Sequence, residues 1–300
     1  MVARIASFSL TNQLVETNLR VQAEYATTQI QISTGLKSEN YHGIAAQANQ
    51  ILNLESAYSE VEAQIAGSQT ALDRTEFMFS ALGNMIDIGQ SFFADLNAAL
   101  TGLSVTPAQI QQSAQSTFDQ FVGVLNSKMG DRYIFSGAAI NTRPVDTTTY
   151  GGATPPSVAD TSYYQGNNYI HSVEVSEGFT VAYGVTADDP SIEVIMRALD
   201  LVITSPADPN ALQEAIQLFE LGLDDVATLK ASVAQDSNAI DRAINSNEAQ
   251  LNLIDNMIVE LKEVDLADAS VRIQQLGTQL EAAYAVSTDL LELSLVNFLR

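Results

Sequence analysis

Two stretches at opposite ends of this chain carry the same kind of apolar stripe, and neither stripe can bury itself. Ile5 to Ile32 reads as one amphipathic helix and Leu266 to Leu299 as another. In the first, Leu14, Asn18, Val21, Tyr25, Thr28 and Ile32 advance by alternating steps of four and three, the spacing of a coiled-coil seam. Asn18 and Thr28 are polar seats in that seam, which weaken a helix pair but fix its register. In the second, Ile273, Leu276, Leu280, Tyr284, Leu291, Leu295 and Phe298 recur at helical spacing. The fold must therefore bring its ends together with nearly the whole sequence between them. That constraint points to a subunit built for assembly and away from a fold organised around a pocket.

The intervening sequence fits the same plan. Thr34-Gly35 interrupts the first helix, and Glu39 to Gly43 reads as a loop. Helix resumes through Ile44, Ile51, Leu54, Tyr58, Val61 and Ile65 and runs to about Leu100. Leu103 to Pro107 is a stop, with Thr106 as N-cap and Pro107 in the first helical position of the next helix. That helix buries Ile110, Phe118, Phe121, Val122, Leu125 and Met129, with Gly130 as its closing residue; Tyr133 to Gly137 follows as a short strand or turn. From Asn141 to Pro190, Pro, Gly, Thr and Tyr cluster. Tyr169 to Val175 and Phe179 to Val185 read as two strands joined by Ser176-Glu177-Gly178, an exposed β-rich module with Phe179, Val181, Tyr183 and Val185 on one face. Helix returns from Ser191 to Thr204, breaks at Ser205 to Pro209, and runs on from Ala211 to about Val264.

The expected fold is mainly α: an elongated bundle of long helices formed by paired N- and C-terminal regions, with a small β-rich insertion. Residues 1–38 and 262–300 form the terminal coiled-coil region, 39–140 and 191–261 a helical rod domain, and 141–190 the insertion. A helix of about 50 residues reaches roughly 75 Å, so such a bundle exposes a large lateral surface.

Composition narrows the partners. Thirty-six acidic against 13 basic residues give a net charge of −23, which repels nucleic acid and anionic lipid, so neither is expected as a partner. With no cysteine, no disulfide or thiolate chemistry is open to the chain. Met1 to Leu10 holds one Arg and no continuous apolar run, so no cleaved secretory signal is expected there. Nor does any stretch approach the roughly 18 apolar residues of a membrane span. His42 and His171, the two histidines, stand in different modules without partners at metal or triad spacing. Asp188-Asp189-Pro190 lacks the alternating oxygen ligands of a calcium loop, and Gly151-Gly152 fits no phosphate-binding motif. No catalytic residue, cofactor or metal is expected.

Three stretches carry a specific resemblance. Gln31-Ile32-Ser33-Thr34-Gly35-Leu36-Lys37-Ser38, Tyr133-Ile134-Phe135-Ser136-Gly137, and Asp265 to Leu299 with its Leu280-Glu281-Ala282-Ala283-Tyr284 segment resemble the bacterial flagellin family, in particular its hook-associated members at the hook–filament junction. The chain departs from the family pattern at Glu39 to Gly43, where an Asp-Asp stretch is common, and its last helix lacks the Gln-Ala-Asn triplet of filament flagellins. The resemblance implies a non-enzymatic structural subunit, exported through the flagellar export apparatus without a cleaved signal and placed at the hook–filament junction. It also implies terminal segments that stay disordered until assembly. Implied partners are a ring of copies of itself, an adjacent hook-associated protein, flagellin, and an export chaperone. Leu14, Val21, Tyr25, Ile273, Leu276, Leu280, Leu290, Leu295 and Phe298 are the expected assembly contacts. A minor or short filament flagellin is the alternative within the family, and a secreted coiled-coil effector or adhesin the alternative outside it.

Overall fold

A computed structural model of the chain describes residues 2–100, 106–148 and 150–298, with side chains over 12–100, 106–148 and 150–288. Helix α1 spans Val2–Thr34, a 3-10 turn Tyr41–Ile44, α2 Ala45–Leu100 and α3 Pro107–Leu125. Four short strands follow, β1 Lys128–Met129, β2 Arg132–Tyr133, β3 His171–Ser176 and β4 Phe179–Tyr183, then α4 Pro190–Thr204, α5 Pro209–Lys262 and α6 Leu266–Phe298. The fold is mainly α, and its strands form two separate antiparallel pairs, β1-β2 and β3-β4. The chain divides into two compact units: Glu60–Leu251, and Met1–Ser59 together with Asn252–Arg300.

The first of these units is organised on α2 and α5, which run antiparallel. Phe219 meets Phe92 edge-to-face at 5.3 Å between ring centroids and lies 6.3 Å from Phe93, while Lys230 Nζ sits 4.5 Å over the Phe79 ring. Helix α4 fills the centre. Asp189 caps it, its carboxylate accepting from Ser191 N at 2.9 Å, and Pro190 opens its first turn. Ile192, Ile195, Met196, Leu199, Leu201 and Val202 are all fully buried, as expected of a helix apolar around most of its girth. Helix α3 packs against α4 and begins with the expected cap: Thr106 Oγ1 accepts from Gln109 N (3.3 Å) and Gln109 Oε1 from Thr106 N (2.9 Å).

Two local expectations are corrected here. Gly130 does not close α3, which ends at Leu125 with Asn126 as C-cap. The Asn126 side chain donates to Val145 O (3.0 Å) and accepts from Val145 N (2.9 Å), turning the chain out of the helix; Gly130, at φ +65°, lies instead between β1 and β2. The β3–β4 hairpin, in turn, is not an exposed cap. Val175, Val181 and Tyr183 are buried in a cluster with Ala71, Leu72, Ile240 and Ile244. Asn247 Nδ2 donates to Val175 O (2.8 Å) and Arg74 Nη1 to Tyr183 Oη (2.9 Å), so α2 and α5 both hold the hairpin down. Phe179, at the hairpin end opposite Ser176 beyond the irregularity between Glu174 and Ser176, is exposed rather than buried with Val181 and Tyr183.

The rest of the insertion has little regular structure and is held by α4 and α5. Asp200 accepts from Ala153 N (2.7 Å), Glu193 from Asp160 N (3.0 Å) and Glu214 from Ser157 N (2.8 Å). Glu193 is also paired with Arg197 at 3.1 Å. The buried carboxylates of Glu193 and Asp200 are tolerated here because each takes a hydrogen bond from a loop amide that would otherwise lack a partner.

Candidate assembly surface

Within the terminal unit, α1 and α6 pack side by side in antiparallel sense. Asn18 Nδ2 donates to Ser287 Oγ at 3.1 Å, the Glu24 carboxylate lies 3.7 Å from the Arg272 guanidinium, and Tyr25 faces Gly277. Val21 and Thr28 of α1 and Ala269 and Leu276 of α6 are buried in this seam. Leu14, Tyr25, Ile273 and Leu280 are half-buried. Of the nine residues expected to make assembly contacts, the structure thus places six on the paired helices, all at least half-buried. Leu290, Leu295 and Phe298 lie outside the residues whose side chains are described.

The outward faces of the same helices carry exposed apolar side chains among polar ones. Val15, Leu19 and Ile30 on α1 and Val271, Tyr284 and Val286 on α6 are each about half exposed or more, Leu19 reaching 61%. Apart from Tyr284, sequence spacing had not singled these out. A seam of one helix against another uses a narrow stripe, and these side chains sit beside it, so the apolar surface is wider than a two-helix pair can cover.

The inner ends of both helices meet in a compact polar knot. Gly35, at φ +73°, ends α1, with its N–H on Gln31 O at 2.8 Å. Residues 35–37 then cross residues 262–264: Lys37 N donates to Lys262 O (2.7 Å) and Val264 N to Gly35 O (2.9 Å). Lys37 Nζ reaches the last carbonyls of α5, Glu260 O at 2.5 Å and Leu261 O at 3.1 Å. Lys262 Nζ pairs with the Glu55 carboxylate of α2, which also accepts from Tyr41 Oη at 2.8 Å. The hydrogen bond to Lys262 holds the Glu55 carboxyl below its ordinary range, and the same bond raises Lys262; Tyr41 is raised by its bond to Glu55.

The histidines have structural surroundings. His42 is exposed in the 3-10 turn, and His171 is half-buried between Tyr169 and Tyr183 with Nε2 3.2 Å from Gly137 O. Among the described residues no group of three or more His, Cys, Asp or Glu is placed to hold a metal ion, and no helix is long and apolar enough to cross a membrane. What the terminal unit offers is a pair of helices that leaves several large apolar side chains exposed.

Residues 216–299, most of α5 and all of α6, match the family described as the bacterial flagellin C-terminal helical region. This part of the chain is similar to the flagellin C-terminal helical region. The flagellin match thus supplies the α6 side of the seam, including Ile273, Leu276 and Leu280. The fold is similar to that of a structure described as a flagellar hook-associated protein from Vibrio parahaemolyticus, with a TM-score of 0.58 at 17% identity, covering 72% of this chain and 97% of that one. It is similar also to flagellar hook-associated protein-3 from Legionella pneumophila, with a TM-score of 0.56 at 10% identity, covering 70% of this chain and 98% of that one. At these identities the likeness is one of fold. No curated protein matches the sequence.

Proposed function

We propose that this flagellin-type chain is a structural, non-catalytic subunit of the bacterial flagellum, acting as an adaptor at the junction of hook and filament. The observation that carries the reading is the coincidence of a match to the flagellin C-terminal helical region with a fold that, over 72% and 70% of the chain, is like that of two hook-associated proteins. In this reading the chain leaves the cell through the flagellar export apparatus, held beforehand by an export chaperone. It then forms a short ring of copies between an adjacent hook-associated protein and flagellin. Residues 1–38 and 262–300 become fully ordered only on assembly, while 39–140 with 191–261 form the lateral rod and 141–190 the variable module.

The physical support is the unfinished burial of α1 and α6. Val21 and Leu276 are spent on holding the pair together, while Leu19, Ile30, Val271 and Tyr284 remain in water. Ordering both helices in a free chain gains only the seam, whereas neighbouring subunits would add the outward faces and offset the conformational entropy lost. In the assembled ring, Leu14, Val21, Tyr25, Ile273, Leu276 and Leu280 make the paired-helix platform, and Leu290, Leu295 and Phe298 extend it.

Immunogold labelling of intact flagella in the native cell tests the placement. A single narrow band just beyond the hook is the expected result. Label along the whole filament would make the chain a filament flagellin, and absence of flagellar label would favour a secreted effector or adhesin; either overturns the reading. Deleting residues 266–300 should leave a soluble protein that no longer attaches filaments to hooks, and normal attachment by that truncation would refute the role of α6.

A further inference from the structure

The crossing of residues 35–37 with 262–264 is unusual in being the place where both breaks of the terminal unit meet. Each break taken alone is a short segment between helices, which has no reason to be ordered in isolation. Together they form a two-rung backbone ladder, over which five side chains close, those of Gln31, Lys37, Tyr41, Glu55 and Lys262. Gln31 Nε2 donates to Lys37 O at 2.8 Å from the last turn of α1. Lys37 places its charge on the C-terminal carbonyls of α5, where helix geometry leaves acceptors without partners and the helix dipole favours a cation. Glu55 brings in the first part of α2 through Lys262, and Tyr41 brings in the 3-10 turn through Glu55.

We infer that this crossing is a latch: Lys37 and the Glu55–Lys262 pair keep the inner ends of α1 and α6 together in the free chain, so the terminal helices order from this end outward. The pairing geometry agrees with a fixed starting point. Leu36 lies opposite Glu263 at the crossing, and further out along the same antiparallel run Tyr25 faces Gly277 and Asn18 bonds Ser287. Asn18, through its bond to Ser287, and Thr28 favour one register of the seam, and the latch presents the two helices in that register, since once the inner ends are joined each further turn has one partner within reach. Joining them also shortens the effective loop to be closed, which lowers the entropic penalty of bringing such distant stretches together. The latch does not depend on the flagellar reading; only its use as the start of ordering during assembly rests on it.

Amide hydrogen exchange on the full-length free chain tests this, residue by residue, against the Lys37→Met/Glu55→Gln double variant. In the natural chain the amides of Lys37 and Val264 should be protected even if the outer turns of α1 and α6 exchange freely. In the variant these two amides should exchange about three- to tenfold faster, the factor expected for losing a cation at a helix C-terminus and an exposed ion pair. Exchange in the α5 stretch 211–240 should stay unchanged. Unprotected Lys37 and Val264 amides in the natural chain would overturn the latch, and unchanged protection in the variant would overturn the role given to its side chains. Should the double variant also lose protection across 211–240, the single Glu55→Gln substitution, which leaves Lys37 in place, must show the smaller loss at Lys37 and Val264 alone. Failure there overturns the proposal too. None of these readings depends on where the protein sits in the cell.

Discussion

Replacing Gly222 by alanine sets two opposing effects against each other, and the structure decides which prevails. Gly222 lies within α5, where alanine is favoured over glycine by about 0.8–1 kcal/mol. A Cβ at this position, however, would lie 2.5 Å from Ile195 Cγ1 and 3.3 Å from both Ile195 N and Val194 Cγ1 of α4. Ile195 is fully buried, so its side chain has no free space to swing into, and the backbone nitrogen behind it moves only if α4 moves. Overpacking of this kind costs about 1–3 kcal/mol, more than the helical preference returns. The net expectation is a loss of about 1–2 kcal/mol.

Gly123 supplies the control. It is an exposed helical glycine in α3 with nothing within 4 Å of its would-be Cβ, so Gly123→Ala should stabilise by about 0.5–1 kcal/mol. Gly89 stands between the two: its Cβ would meet Leu223 Cδ2 at 2.6 Å, the far end of a flexible side chain that can turn aside. With no tryptophan in the chain, urea unfolding followed by tyrosine emission reports largely on the unit holding Tyr150, Tyr163, Tyr164 and Tyr183. At a slope of about 2 kcal/mol per molar, the Gly222 and Gly123 variants should differ in midpoint by about 1 M, with Gly89→Ala intermediate. A Gly222→Ala midpoint as high as that of Gly123→Ala would mean that α4 and α5 do not approach as closely as described, and the argument would fail.

Other outcomes follow from the same physical terms. Phe219→Ala removes a fully buried ring in contact with Phe92 and Phe93, and should lower stability by about 3–5 kcal/mol in the same urea experiment. The Glu55–Lys262 pair should strengthen the latch only between the acid and alkaline limits. Glu55 is depressed, so its contribution is present above its unfolded value of 4.5 and vanishes as pH falls through the folded one; Lys262 is raised, so its contribution is present below 10.5 and vanishes as pH rises through the folded one. Exchange at Lys37 and Val264, corrected for intrinsic rates, should therefore accelerate at low pH, and Glu55→Gln should abolish that acid response. Burial pushes the phenols of Tyr150 and Tyr163 upward, so the folded state holds protons that the unfolded chain releases above 10.0. Stability should fall as pH climbs past that point. In a spectrophotometric titration these two tyrosines should ionise together with loss of helical circular dichroism.

Why some of this was legible in the sequence and some was not comes down to the range of the forces involved. The cap at Thr106-Pro107 and the break at Gly35 are local, each set by atoms within a few residues, and both stand where the sequence places them. The end of α3 was misplaced because it is fixed by Asn126 reaching Val145, a bond that closes only after the chain has turned back. The hairpin was misjudged for a related reason. Alternation identifies which face of a strand is apolar, but the covering residues Ala71, Leu72, Ile240 and Ile244 come from two helices far away in sequence.

The same limit governs the terminal helices. Spacing marks Val21 and Leu276 as residues that want cover, and the structure finds that cover within the chain. Leu19 and Val271 want cover equally, yet they fall off the repeat and are left exposed. A periodic stripe therefore locates the first interface a helix makes, and the residues off the stripe locate the next one. If the outward face served only to tolerate solvent, replacing Leu19 and Val271 by serine should leave hook-to-filament attachment intact. If it is the second interface, those two changes should impair attachment while the Asn18–Ser287 seam remains formed, because neither side chain is buried in that seam. The two residues thus separate pairing within a chain from packing between chains, a distinction that spacing alone does not make.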